Sequence, residues 1–185
     1  AADKRPDVQA VFCIDVRSEV FRRSLESTDM AIQTIGFAGF FGLPIVHNVP
    51  GLGGSQARCP ALLAPPLHTT DCKAESSAPD FLDTMSDQAR ADLAEGILRG
   101  LSLLENFGRV VLLCGHGCAT RNNPYASGLD CGACGGHAGD ANARLAAALL
   151  NQPEVRVELA ARGIEIPADT VFIGGLHNMP RPIPR

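Results

Sequence analysis

The sequence predicts an α/β protein with a mainly parallel sheet of about four to five strands and helices on both faces. Two observations carry this expectation. The strand-like runs are short and continuously apolar rather than alternating, which is how strands covered on both faces read. Segments of helical period stand between them, and strands alternating with helices build parallel sheets.

In chain order, the first strand is VQAVFCI (8–14), and Ser18 is the expected N-cap of a helix through SEVFRRSLES. A second strand is AIQTIGF (31–37). The stretch 42–83 breaks the rhythm: it holds Pro44, Pro50, Pro60, Pro65, Pro66 and Pro79, with Gly51, Gly53 and Gly54, and shows no period. It is expected to be an irregular excursion, and long loops of that kind are usually functional. The longest helical segment is 86–108, with Ser86 as N-cap and Gly108 as its stop. RVVLLCG (109–115) is the third strand; helices over 139–151 and 153–163 follow, the latter with Pro153 in its first turn; TVFIGG (170–175) is the last strand.

The 185 residues fit a single domain, 1–185. A net charge of −4, one Tyr and no Trp argue against a nucleic-acid partner. Seven cysteines, an odd number set partly in apolar runs, argue against a disulfide framework and for reduced thiols in the cytosol. The longest apolar stretch, 31–46, is interrupted by Gln33, Thr34 and Pro44 and is too short to span a bilayer, so no transmembrane segment is expected. The chain starts AADKRPD and ends RPIPR, which fits a fragment of something larger.

Chemistry concentrates in two places. Cys13, Asp15 and Arg17 alternate at the end of the first strand, so an extended backbone through position 17 would put all three on one face. Open α/β sheets bind ligands at that edge. His116 lies just past the strand 109–115, and a glycine-rich loop then carries Cys131 and Cys134. Two thiolates, an imidazole and a carboxylate suit Zn²⁺, which accepts sulfur, nitrogen and oxygen donors in a tetrahedron. Taken singly, each feature has a plainer reading. Cys59, Cys72, Cys114 and Cys118 read as small buried hydrophobes, and an Asp-x-Arg pair is often a surface ion pair. His137 and Asp140 lie close enough to Cys134 in sequence to relay protons, and His177 stands beside Asn178 past the last strand, expected at the same edge; a structural role suits each of them equally.

Cys-x-Asp-x-Arg with a later His and Cys resembles the metal site of β-class carbonic anhydrases, although here His116 and Cys131 stand fifteen positions apart. The runs FCIDVRSE, GFAGFFG, CPALLAP, GHG, NNPYASGLDCGACGG, NAR and LHN resemble the DabA family more closely. That family comprises large peripheral zinc subunits of a two-component inorganic-carbon uptake system. The resemblance implies a β-carbonic-anhydrase-like core, one Zn²⁺ per chain on Cys13, Asp15, His116 and Cys131, and Arg17 as partner of Asp15. It implies hydration of CO₂ to bicarbonate and an antiporter-like membrane subunit as partner. It also implies a peripheral place on the cytoplasmic face of the cell membrane. A homodimer through exposed loops is a further expectation. Two other readings stay open: a closed structural zinc module using Cys134 as fourth ligand, and a metal-dependent phosphohydrolase.

Overall fold

The computed structural model describes residues 5–48, 55–63, 67–70, 82–118 and 128–178. In order the elements are β1 (Val8–Cys13), α1 (Val16–Glu26), β2 (Ile32–Phe37), β3 (Ile45–Asn48), β4 (Ser55–Arg58) and β5 (Leu67–Thr70). They continue with α2 (Asp87–Gly100), β6 (Val110–Gly117), α3 (Asp140–Leu150), α4 (Pro153–Ala161) and β7 (Val171–Asn178).

The apolar runs become the main sheet, ordered β2-β1-β6-β7 and parallel throughout. Its two faces divide the side chains by strand alternation. Ala10, Phe12 and Cys114 pack with Leu25 of α1 on one face. Val11, Val111, Leu113 and Phe172 pack on the other, with the apolar sides of α2, α3 and α4. Helices therefore cover both faces, as the continuous apolar runs require.

Strand order places β1 beside β6 at the centre, although α1 and β2 follow β1 in the chain. From β1 the chain moves outward one way to β2, and from β6 it moves outward the other way to β7. The carboxyl ends of β1 and β6 thus form a topological switch point, the place where open α/β sheets leave a crevice.

Four expectations are corrected. The extended backbone does not hold through position 17: β1 ends at Cys13, and Asp15 rather than Ser18 is the N-cap of α1. Its carboxylate accepts the Arg17 N–H at 2.9 Å, a bond that ends the strand and starts the helix three residues early. α2 ends at Gly100, short of Gly108. Ser102 turns to φ 54, and the Leu103 N–H bonds the Leu98 carbonyl at 2.9 Å, a left-handed stop without the usual glycine. The apolar rhythm persists past that stop because Leu101, Leu103 and Phe107 are buried as irregular chain. The third correction concerns 42–83, which is not simply irregular. β3 pairs antiparallel with β4 and parallel with β5 in a second, three-stranded sheet. Its strands are only four residues long, too short to show a period. Fourth, β6 runs to Gly117 and β7 to Asn178, so His116 and His177 lie inside strands, opposite each other in register.

Candidate metal centre

Cys13 is the last residue of β1 and is buried. Asp15 is extended (φ −151°, ψ 141°), and from there the chain enters the helix. Arg17 folds back around the cap: its Nε donates to Asp15 Oδ1 at 2.8 Å and its Nη2 to Oδ2 at 3.0 Å. This bidentate fork holds the Asp15 carboxyl well below the ordinary carboxylate range, at about 2. Arg17 Nη2 also donates to the Leu129 carbonyl at 2.9 Å, two residues before Cys131. The pairing foreseen between Asp15 and Arg17 exists, but a helix cap creates it and strand alternation does not.

Cys131 precedes a short 3-10 turn, Gly132–Cys134, which closes with Gly135 at φ 67. The Cys131 N–H bonds the His137 carbonyl, and the Cys131 carbonyl accepts N–H bonds from Cys134 and Gly136. The cysteine thus sits in a small knot of backbone bonds. Asp130 ties this knot to the end of β6 by accepting the Cys118 N–H at 2.7 Å. The Gly139 N–H bonds the His116 carbonyl at 3.0 Å, joining the start of α3 to the same strand end. Such closeness needs glycine: a Cβ on Gly115 would stand 2.4 Å from the Gly139 backbone.

These elements bring Cys13, His116 and Cys131 together, all buried, with one donor atom of each within 4.8 Å of the others. The two sulfurs are 3.4 Å apart. Two sulfurs bound at 2.3 Å to one tetrahedral ion would stand roughly 3.8 Å apart, so small rotations suffice to seat it. Both ring nitrogens of His116 are buried with no hydrogen-bond partner among the described residues. A buried polar atom left in that state costs about 1–3 kcal/mol, and a cation between the donors would relieve it. Asp15 Oδ2 lies 3.7 Å from His116 Nε2. The cluster could bind a metal ion, and its donor set fits.

The thiols themselves are not independent. Hydrogen bonds from Cys13 and Cys134 push the Cys131 thiol far down. The same bond to Cys131, together with burial, pushes Cys13 and Cys134 up. The three thiols therefore titrate as one group, with the hydrogen bonds favouring ionisation at Cys131 over its neighbours. A bound dication would favour ionisation of Cys13 as well.

Cys134 is fully buried beside Cys131 but stands outside the three-residue cluster. Asp140 is held by Arg58 and Arg144, each at 3.0 Å. Burial lowers the pKa of His137, followed by the charge of Arg58. His177 Nδ1 is 3.3 Å from the Ser18 hydroxyl, and its ring meets Phe12 edge-on and lies tilted against Phe21. Cys59 and Cys114 are buried as small apolar groups, Cys118 is half-buried, and Cys72 lies outside the described residues.

Three contributors escape a reading of the sequence. Arg58 of β4, 9% exposed at its side chain, bonds the Ala138 carbonyl at 2.8 Å as well as Asp140. Asn142 of α3 donates to the carbonyls of Leu43 and Arg58 at 2.8 and 3.0 Å. Gly39 lies against both ligand-type sulfurs. The glycines of GFAGFFG, the arginine before CPALLAP and the asparagine of NAR were the signals, and none of them carries metal chemistry.

Comparison with known proteins decides the family. The model of the family described as "Probable inorganic carbon transporter subunit DabA" matches residues 1–84 and 67–180, almost the whole chain. The chain belongs to the DabA family. A curated DabA relative from Rhodopseudomonas palustris (strain TIE-1) is 41% identical over 236 residues, covering 95% of this chain and 29% of the relative. One from Rhodospirillum centenum is 41% identical over 237 residues, with 96% and 29% covered. One from Jannaschia sp. (strain CCS1) is 42% identical over 232 residues, with 95% and 29% covered. Each is named probable inorganic carbon transporter subunit DabA. This DabA chain therefore spans less than a third of those relatives. No solved structure matches it.

Proposed function

We propose that this DabA chain holds one Zn²⁺ on Cys13, His116 and Cys131 and hydrates CO₂ to bicarbonate, as the core of an inorganic-carbon uptake system. The observation that carries this reading is the convergence, at the switch point, of two thiols and an imidazole with unpartnered buried nitrogens. Sulfur and nitrogen donors suit borderline-soft Zn²⁺, and three protein ligands leave a fourth position for exchange. Bound there, Zn²⁺ supplies the Lewis acidity that makes water a nucleophile at neutral pH.

The protein's own groups do the rest. Asp15 faces the cluster from 3.7 Å while Arg17 occupies both of its oxygens. In this state the carboxylate would be held off a bound metal, leaving its remaining lone pairs to orient water. With a pKa of about 2 it is too weak a base to keep a proton at neutral pH, so the proton of CO₂ + H₂O → HCO₃⁻ + H⁺ passes on to solvent. Released by Arg17, Asp15 would be free to serve as a fourth ligand and so close the site.

The relatives' name, transporter subunit, supports a membrane partner, and we assign this chain a peripheral place on the cytoplasmic face beside an antiporter-like subunit. No helix among the described residues is long and apolar enough to cross a membrane. Elemental analysis should find one zinc per wild-type chain and none in Cys13→Ser or His116→Ala. Retention of stoichiometric zinc in both variants would refute the assignment. Asp15→Ala should keep zinc and lose CO₂ hydration by stopped-flow.

A further inference from the structure

The turn after β2 touches the metal centre with bare backbone. A Cβ built on Gly39 would lie 2.5 Å from Cys13 Sγ, 2.9 Å from Cys131 Sγ and 3.0 Å from Cys13 Cβ. Real Cβ atoms do not come that close, so one side would have to move. The turn is poorly placed to yield. The Phe41 N–H bonds the Ala38 carbonyl at 2.9 Å, and the Leu43 N–H bonds the Phe40 carbonyl at 2.8 Å. Phe41 and Leu43 are buried in the main core, and Asn142 holds the Leu43 carbonyl from α3. Behind Gly39, its carbonyl oxygen lies 3.1 Å from where a Cβ on Gly139 would stand. The sulfurs are the softer side, since each is placed by the single torsion χ1.

We propose that Gly39 is a positioning residue of the metal centre: lacking a side chain, it presses one anchored stretch of backbone against Cys13 and Cys131 and sets their sulfurs at ligand spacing. This inference rests on the metal reading above. Cys13 and Cys131 come from segments 118 residues apart, and Gly39 is the surface against which both are seated. A methyl group at position 39 parts the sulfurs and turns at least one away from the ion.

The test measures Zn²⁺ affinity by competition with a chromophoric chelator, and the thiolate-to-metal charge-transfer band with Co²⁺. Gly39→Ala should bind Zn²⁺ about 10–100-fold more weakly and shift or weaken the cobalt band. Gly132→Ala, beside Cys131 but with open space at its Cβ, should leave both unchanged. Wild-type affinity in Gly39→Ala overturns the inference while leaving the metal reading intact; a wild type that binds no metal overturns both. Folding of the metal-free chain gives a second arm. In a Cys13→Ala/Cys131→Ala background the struck sulfurs are gone, so Gly39→Ala should lower the thermal midpoint much less than in wild type. An equal loss, or failure to fold in both backgrounds, would show that sulfur contact is not what glycine serves at this position.

Discussion

Cys13, Asp15 and Arg17 fall on five consecutive residues, and their arrangement is produced by the residues themselves. A strand stops, a carboxylate caps a helix, and a guanidinium in the first turn forks back onto that carboxylate. His116 and Cys131 belong to a wider piece of chain whose geometry is imposed from outside. Arg58 of the second sheet holds the start of α3, and stacked glycines let three backbones touch. Asp130 ties the Cys131 knot back to β6. Local chemistry can be read and edited residue by residue, whereas the other half moves when distant packing moves.

The largest expected effect tests the imposed half. Arg58→Met keeps the bulk of a buried side chain but removes the bond to the Ala138 carbonyl and leaves Asp140, among the described residues, with Arg144 as its ion-pair partner. Urea denaturation should show a loss of about 3 kcal/mol, and zinc occupancy should fall with it although no ligand has changed. An Arg58→Met chain with wild-type stability would collapse the distinction between the halves.

Asp15→Asn probes the local half and should cost on the order of 2 kcal/mol at pH 7. The sign with pH follows from the carboxyl's lowered value, about 2 in the fold against 3.8 ordinarily. Its stabilisation is fully present above pH 3.8 and disappears as pH falls through 2. The difference in stability between metal-free wild type and Asp15→Asn should therefore shrink towards zero over that window. A gap that stays constant from pH 7 to 2 would contradict the ionised fork.

Arg17→Lys should have the smallest effect, about 1 kcal/mol. Lysine keeps a charge for Asp15 but cannot fork onto it and also reach the Leu129 carbonyl. Since that bond joins the two halves, hydrogen exchange should quicken around 128–131 more than around α1. Equal quickening in both places would mean that the arginine serves only its own cap.

The main sheet was legible because parallel strands covered on both faces leave long apolar runs, and each run contained its strand to within three residues. The family-bearing residues were legible too, and the fold brings Cys13, His116 and Cys131 to one point. What escaped depended on contacts between distant segments. Arg58 sits on a four-residue strand where alternation has no room to show. Gly39 acts by what it lacks, and α2 stops at a left-handed serine that no propensity would select. Asp15 and Ser18 are both good caps, and only the fork from Arg17 chose between them.

The central pairing of β1 with β6 joins residues about a hundred positions apart, for Phe12 faces Cys114 across it. Contacts of that span form late, because the intervening chain must first be ordered. Until that pairing closes, Cys13 and His116 are strangers in solution and no partial fold offers the three donors at once. Uptake of a metal at the proposed site would therefore report on folding: it would begin only once β1 and β6 have paired, and a thiolate absorption band would mark that moment in a refolding experiment.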